Sequence, residues 1–243
     1  MNIVSKLLVV SVFALSASAN AELIGHWSGD GNTNDSLGNN NGVLINDATY
    51  DQGLVNEAFS FDGATDAVYL GTGLDVTDAF TLSAWFNLAE YGGARQIFNN
   101  ENAYEIEIQG NELKVALRTS DVSNWYWIST GWEVNLNEWT YVSMVYDGAS
   151  IRLYDGDGDT RFQVNYTGIV ANGSEARIGA RSYNNSSFKG LIDEVSLYDE
   201  ALTPGAIALK NPAFNITASV PLPATGALLA LGLLGFGVRR KVK

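Results

Sequence analysis

Residues 190–202 read GLIDEVSLYDEAL, and the interpretation of the whole chain starts from this stretch. Side chains of a β-strand alternate between two faces. If this stretch is a strand, one of its faces carries the aliphatic side chains of Leu191, Val195 and Leu197. The carboxylate of Asp193 lies on that same face. Because an unpaired buried charge is costly, we expect Asp193 to meet a cation, backbone N–H donors or a proton.

Residues 22–210 read as short strands separated by Gly, Asn and Asp turns. We predict strands at 23–27, 58–61, 67–70, 80–88, 104–109, 112–119, 125–130, 139–146, 150–154, 161–166, 175–181 and 188–198. In 80–88 the apolar side chains alternate and Trp85 lies on the opposite face. Thr203 and Pro204 are typical of a helix start. About a dozen short strands in one domain favour an all-β fold, a two-sheet antiparallel sandwich or jelly roll.

The first 21 residues have the layout of a secretory signal peptide. Lys6 precedes an apolar run from 7 to 15, and Ala19-Asn20-Ala21 supplies a small-residue cleavage site. We therefore expect cleavage before Glu22 and an exported protein.

The other end is equally distinctive. After a short linker at 211–219, residues 220–226 read VPLPATG, an apolar run continues to Val238, and a basic tail ends the chain at 243. The 19 uncharged residues from 220 to 238 are about enough to span a bilayer as a helix, with the tail cations remaining cytoplasmic. Residues 220–243 also resemble a PEP-CTERM sorting signal of the VPLPA variant.

That resemblance implies a Gram-negative bacterium, transient anchoring in the inner membrane, and processing by an exosortase. Residues 222–226 also match the LPxTG pattern of sortase substrates, so sortase processing stays open as an alternative. Both interpretations place the protein at the outer surface or in the extracellular matrix.

The charge distribution excludes some partners. Five of the 14 basic residues and none of the 27 acidic residues lie in the two end segments, so the remaining chain carries 9 basic residues against 27 acidic ones, a formal charge of −18. Such a surface repels nucleic acid and anionic headgroups. The absence of cysteine agrees with an exported domain large enough to fold without disulfides.

Four segments give the body a more specific resemblance: HWSGDGNTNDSLGNNNGVL, AFSFDGATDAVYL, NEWTYVSMVYDGASIRLYDGDG and ARIGARSYNNSSFKGLIDEVSLYDEAL. They occur in the order seen in concanavalin A-like, laminin G-like jelly-roll domains, and the likeness extends from about 23 to 209. The resemblance implies an extracellular adhesion or glycan-binding fold, frequently with one structural calcium ion. It does not imply a particular ligand.

The loop at 30–42 is rich in hard oxygen ligands, which calcium prefers. Because the first and last strands lie close in the resembled family, Asp193 could complete the ligand shell. The predicted calcium ligands are Asp30, Asn32, Asp35, Asn40 and Asp193, with backbone help near Gly42. The alternative is that the loop forms Asx-turns and that Asp193 accepts backbone N–H groups.

A second acidic run, Asp155-Gly-Asp157-Gly-Asp159, imitates the start of an EF-hand loop. Position six would be Thr160 rather than Gly, and position twelve would be Tyr166 rather than Glu. We therefore predict a hairpin turn there.

Aromatic residues supply a binding hypothesis. Four of the six tryptophans lie within fifteen residues: Trp125, Trp127, Trp132 and Trp139. Exposed aromatic faces stack on sugar rings, and nearby amides fix hydroxyl groups. The predicted carbohydrate-binding residues are Trp125, Trp127, Asn124, Trp132, Tyr183 and Asn184. The alternative is that these rings are core, as we predict for Trp27 and Trp139.

Enzyme chemistry has little support. With one histidine and no cysteine, the chain cannot build a His-based triad with a cysteine nucleophile or a His-rich metal site. The strand at 104–109 resembles the Glu-x-Asp-x-(x)-Glu strand of some glycoside hydrolases, but it ends in Gln109, and we predict a solvated polar face for Glu105 and Glu107. The sequence favours a non-catalytic module that binds a polysaccharide or surface glycoprotein. Its alternatives are a structural or protein-adhesion component of an exopolysaccharide layer, and a hydrolase.

Overall fold

The computed structural model describes residues 21–181 and 186–211, in which two antiparallel sheets pack face to face. The elements are β1 (Leu23–Trp27), β2 (Val43–Ile45), β3 (Thr49–Gln52), β4 (Glu57–Asp62), β5 (Ala67–Gly71), β6 (Phe80–Leu88), β7 (Gly92–Asn100), β8 (Tyr104–Gly110), β9 (Glu112–Leu117), β10 (Ile128–Glu133), β11 (Trp139–Tyr146), β12 (Ser150–Tyr154), β13 (Thr160–Asn165), β14 (Ala176–Ile178), β15 (Lys189–Tyr198) and α1 (Pro204–Lys210). This architecture fits the predicted jelly roll.

The eight-stranded sheet has the order β13-β12-β11-β6-β15-β4-β3, and β1 also pairs with β15. The seven-stranded sheet has the order β10-β9-β8-β7-β14-β5-β2. The first and last strands are therefore neighbours, as the resemblance implied. Strands β10 and β13 both lie at sheet edges, on the same side of the sandwich.

The main core lies between the two sheets and follows the predicted alternation in β6. Phe80, Leu82, Ala84, Phe86 and Leu88 all belong to it. Trp85 lies on the opposite face, where α1 and neighbouring aromatic residues form a second, smaller apolar cluster on the outside of the eight-stranded sheet. The prediction for Trp27 is confirmed, since it is fully buried in the main core.

Helix α1 begins as predicted, with the Thr203 side chain accepting a hydrogen bond from the Ala206 N–H and Pro204 in the first turn. The acidic run at 155–159 forms the hairpin turn between β12 and β13, where Asp155 Oδ1 accepts the N–H groups of Asp157 and Asp159. Both local predictions are confirmed.

Three strands were missed: β2 has only three residues, β3 is short and polar, and β7 opens on two glycines. The strand predicted at 125–130 begins only at Ile128, so Trp125 and Trp127 lie on the preceding loop. The alternating aromatic residues have the spacing of a strand, which is why the strand was predicted to begin too early.

The prediction for the faces of β15 is wrong in its first half, because a bulge interrupts the strand. Glu194 has φ 53°, and the pairing with β6 shifts register between Asp193 and Ser196. Ile192, Val195 and Leu197 face the main core, whereas Leu191 is only half-buried. Asp193 therefore lies on the outer face of the sheet, although it is fully buried.

The remaining predictions for the chain ends lie outside the described residues: the signal peptide up to residue 20, the linker from 212, and the sorting helix at 220–238. No helix within the part of the chain that the structure describes is long and apolar enough to cross a membrane.

Candidate functional site

The loop that connects β9 to β10 carries the predicted aromatic pair. The rings of Trp125 and Trp127 meet edge to face, with centroids 6.1 Å apart and an interplanar angle of 85°. Both are half-buried, while Tyr126 between them is 48% exposed. Trp125 Nε1 is buried without a hydrogen-bond partner. The loop thus presents two indole rings with one unsatisfied donor.

Arg181 joins this aromatic pair to the seven-stranded sheet. Its guanidinium carbon lies 5.7 Å from the Trp125 ring centroid and 5.8 Å from that of Trp127, within cation–π range. Its Nη2 lies 2.9 Å from Glu101 Oε1 and 3.2 Å from Glu105 Oε1. Burial lowers the pKa of Arg181, but the hydrogen bond that it donates to Glu101 and the neighbouring carboxylates raise it above its ordinary value.

Two carboxyl groups on β8 lie beneath Arg181. Ile106 and Ile108 face the main core, so Glu105 and Glu107 lie on the outer face of the sheet. The prediction of a solvated face is wrong, since Glu105 is 0% exposed and Glu107 is 2% exposed. Burial raises the pKa of Glu105 to about 8 and that of Glu107 to about 7, against the opposing effect of Arg181.

Strand β7 adds two buried amides beside these acids. Gln96 Nε2 donates to Phe98 O at 2.7 Å and to Glu105 Oε2 at 3.1 Å, while Gln96 Oε1 has no partner. Asn99 Nδ2 donates to Glu101 Oε2 at 3.3 Å, and Asn99 Oδ1 has no partner. Sequence reasoning missed both amides because β7 itself was not predicted.

We call this group the Arg181 cluster: Gln96, Asn99, Glu101, Glu105, Glu107, Trp125, Trp127 and Arg181. Five of its buried polar atoms make no hydrogen bond: Gln96 Oε1, Asn99 Oδ1, Glu105 Oε1, Trp125 Nε1 and Arg181 Nε. Glu105 Oε1 lies near Arg181 but outside hydrogen-bonding geometry. Each unsatisfied buried group costs about 1–3 kcal/mol, so the cluster offers both donors and acceptors to a polar ligand.

The other predicted carbohydrate-binding residues are placed differently. Asn124 is exposed on the loop just before Trp125. Trp132 lies in β10, with the Arg161 guanidinium carbon 5.2 Å from its ring centroid, and not in the Arg181 cluster. Tyr183 and Asn184 lie outside the described residues.

Asp193, from the predicted calcium site, binds the segment before β4. Its Oδ2 accepts the N–H groups of Leu54 at 2.9 Å and Val55 at 3.0 Å, while the buried Oδ1 has no partner. Burial raises the pKa of Asp193 to about 7, and the nearby carboxylates of Glu194 and Asp30 also raise it. An orphaned carboxylate oxygen among like charges fits a cation.

Asp30 binds the same segment, since its carboxylate accepts the Glu57 N–H at 3.2 Å and the Asn56 amide at 3.3 Å. It therefore lies in the neighbourhood of Asp193. Nonetheless, no group of three or more His, Asp or Glu side chains arranged to hold a metal ion occurs among the described residues. Further calcium ligands would have to be amide or backbone oxygens or water.

The other predicted ligands organise their own loop. Asp35 is buried, and its carboxylate accepts four backbone N–H groups, from His26, Leu37, Asn39 and Asn40. Other oxygens are also engaged: Asn32 Oδ1 accepts the Asn34 N–H, the Asn40 carbonyl accepts the Trp27 indole N–H, and the Gly42 carbonyl accepts the Thr33 hydroxyl. This geometry is that of the Asx-turn alternative.

Comparison with known proteins agrees with this architecture. The family model of the concanavalin A-like lectin/glucanases superfamily matches residues 62–208. A PEP-CTERM protein-sorting motif matches residues 219–241, which implies export, membrane-anchored sorting and exosortase-type processing. No curated protein sequence matches the chain.

Several solved structures have a similar fold. Domain 4 of AbnA, a GH43 extracellular arabinanase from Geobacillus stearothermophilus in complex with arabinotriose, has a TM-score of 0.67 and 22% identity, over 79% of this chain and 98% of that one. The binding domain of Paraclostridial Mosquitocidal Protein 1 has a TM-score of 0.65 and 15% identity, over 81% and 52%. The binding domain of botulinum neurotoxin serotype G has a TM-score of 0.60 and 12% identity, over 82% and 52%. The chain thus spans about half the length of the two toxin domains.

Proposed function

Since the chain belongs to the concanavalin A-like lectin/glucanases superfamily, we propose that it is an exported, surface-sorted module that binds a glycan at the Arg181 cluster without cleaving it. The observation that carries the proposal is the set of five unsatisfied buried polar atoms in a cluster that includes the paired rings of Trp125 and Trp127. The ligand would be a polysaccharide or surface glycoprotein of the extracellular matrix.

A sugar suits this chemistry because each hydroxyl group both donates and accepts a hydrogen bond. A sugar hydroxyl that reaches the cluster can therefore pair with an acceptor such as Gln96 Oε1 or with a donor such as Trp125 Nε1, both of which are buried in the free protein. Its apolar face can stack on an indole ring. The arabinanase domain of similar fold, determined with arabinotriose, supports a glycan ligand.

The acids of the cluster do not favour catalysis. A glycosidase needs one protonated carboxyl group and one ionised carboxylate, held by environments that separate their pKa values. Here burial raises the pKa of both Glu105 and Glu107. The proposed role of the pair is to hold Arg181 and to hydrogen-bond a ligand.

The test is a glycan array probed with full-length protein in detergent. We expect binding to at least one polysaccharide, loss of that binding in the Trp125→Ala/Trp127→Ala variant, and partial retention in Trp125→Phe/Trp127→Phe, which keeps flat rings. Leu37→Ala, at an exposed apolar residue outside the Arg181 cluster, serves as the control.

Equal binding by the alanine variant and the wild type would remove the aromatic pair from the site. An array without any hit, together with a biofilm defect on deletion, would favour the alternative of a structural or protein-adhesion component. Release of sugar products that disappears in Glu105→Gln or Glu107→Gln would favour a hydrolase.

We also propose a structural calcium ion at Asp193 Oδ1 and Asp30. It would neutralise the like charges around Asp193 and connect β15 to the segment before β4. We expect the melting temperature to fall on chelation and to return with calcium in the wild type, with a much smaller response in Asp30→Asn. A melting temperature independent of calcium in the wild type would contradict the site.

A further inference from the structure

A cleft of about 490 Å³ opens at the edge of the sandwich where β10 lies beside β13. Its volume is within the range of about 300–1,000 Å³ typical of small-molecule sites. Four aromatic side chains line it: Trp85, Trp132, Trp139 and Tyr141. The prediction that Trp139 is core is wrong, because it is half-buried and faces this cleft.

Hydrogen bonds hold part of the aromatic wall in place. The Trp85 and Tyr141 rings lie 5.3 Å apart at an angle of 56°. Trp85 Nε1 donates to Asn211 Oδ1 at 2.9 Å, and Asn211 Nδ2 donates to the Gly156 carbonyl at 3.0 Å. The wall is therefore preformed, and a ligand does not have to order it.

The lining is also strongly acidic. Among the described residues it contains four carboxyl groups, those of Glu133, Glu138, Asp155 and Asp157, and a single cation, Arg161. Arg161 lies over Trp132 and 3.8 Å from Asp155, so its charge is partly balanced within the protein. Three of the acids, Glu133, Glu138 and Asp157, are exposed. The cleft thus combines aromatic faces with an excess of negative charge.

We propose that this cleft binds a positively charged amino-sugar unit of a polysaccharide. Aromatic faces and carboxylates together recognise an ammonium group. Of the four rings, Trp132 and Tyr141 are buried, so the half-buried rings of Trp85 and Trp139 are the ones that can accept the apolar face of a pyranose. The exposed amide of Asn135 borders the same space, and its carbonyl oxygen can accept a hydrogen bond from a hydroxyl group. None of the residues of the Arg181 cluster lines the cleft, so the proposal does not depend on glycan binding there.

The test is calorimetry of full-length protein in detergent with three probes. These are a tetrasaccharide of β-1,4-linked glucosamine, its N-acetylated counterpart, and tetralysine. We expect the glucosamine oligomer to bind at least tenfold more tightly than either of the others, and its affinity to fall as salt is raised. Equal affinity for the acetylated sugar, or no binding of the glucosamine oligomer, would overturn the proposal. Binding of tetralysine as tightly as the sugar would assign the cleft to basic peptides instead.

Variants locate the binding. Glu133→Gln/Glu138→Gln removes two exposed carboxylates of the cleft, and we expect at least a tenfold loss of affinity. Asp47→Asn/Asp78→Asn makes the same change of net charge at exposed residues outside the cleft, and it should leave affinity unchanged. Equal losses in both pairs would reduce the effect to overall charge and overturn the site.

The two proposed sites are separated by crossed variants. Trp125→Ala/Trp127→Ala should leave glucosamine binding intact, and Glu133→Gln/Glu138→Gln should leave hits from the Arg181 cluster intact. Loss of glucosamine binding in the Trp125→Ala/Trp127→Ala variant, with an unchanged melting temperature, would place the amino sugar at the Arg181 cluster and overturn the assignment to the cleft.

Discussion

Replacing Glu105 with Gln removes an ionisable proton from a fully buried carboxyl group while keeping its shape. In the folded protein, burial raises the pKa of Glu105 from 4.5 to about 8. Between these values the folded state binds more protons than the unfolded state, so the free energy of unfolding falls as pH rises. The loss begins near pH 4.5 and is complete above about pH 8. The neutral amide that Glu105→Gln introduces does not ionise, so it cannot contribute to this loss.

The magnitude follows from the width of that pH window. One pH unit corresponds to about 1.4 kcal/mol, which sets an upper bound of about 5 kcal/mol for the cost of ionising Glu105. Water entry and movement of Arg181 reduce it, so we expect at least about 2 kcal/mol, a large share of a typical domain stability of about 5–15 kcal/mol. At pH 5 the Glu105 carboxyl group is neutral, so Glu105→Gln exchanges one neutral acceptor for the Gln96 amide for another and loses no more than about 1 kcal/mol.

The assay is urea unfolding followed by tryptophan fluorescence at pH 5, 7 and 9. We expect the two stability profiles to cross: the variant equals or falls slightly below the wild type at pH 5 and exceeds it at pH 9. Asp47→Asn, at an exposed carboxyl group, is the control and should follow the wild type. Parallel profiles for the wild type and Glu105→Gln would refute the reasoning, since ionisation of Glu105 would then cost the fold nothing.

Three further substitutions test the parts of the fold that position the sites. Asp35→Ala leaves four backbone N–H groups without their acceptor and should cost about 2–4 kcal/mol in urea unfolding. Gly190→Ala places a Cβ 2.1 Å from the Asn87 carbonyl oxygen at φ +133°, so we expect little soluble protein on expression. Thr203→Ala removes the cap of α1 and should cost about 1 kcal/mol, read as a lower melting temperature.

Local chemistry made much of the sandwich predictable. The alternation in β6 identified its core face and placed Trp85 outside, and the turn at 155–159 was recognised from its Asp and Gly residues. These features depend on neighbours in sequence, which the printed chain displays directly. Faces and turns were therefore predictable without tertiary contacts.

The β15 bulge was not predictable in the same way. It depends on Glu194 adopting φ 53°, a conformation that usually favours Gly or Asn. The Glu194 carboxylate lies 2.7 Å from His26 Nε2, and this short contact with β1 is tertiary. Strict alternation therefore assigned Leu191 to the core in place of Ile192.

The Arg181 cluster also depends on tertiary contacts that the sequence pattern does not reveal. Alternation correctly put Glu105 and Glu107 opposite Ile106 and Ile108, but it cannot say what lies over a polar face. Arg181, stacked against the loop before β10, lies beside that face. The two acids are buried there, and burial raises both pKa values although the charge of Arg181 lowers them.

Chain topology explains why tryptophans that are close in sequence belong to two different proposed sites, the Arg181 cluster and the cleft. Trp125 and Trp127 precede β10, on the loop beside Arg181 and the seven-stranded sheet. After β10 the chain crosses to the eight-stranded sheet, so Trp132 and Trp139 flank the crossing and line the cleft. A single aromatic platform was the natural interpretation of their spacing, yet spacing along the chain carries no information about a change of sheet. The proposed functional sites therefore depend on the loop and the crossover, which the regular core holds in place.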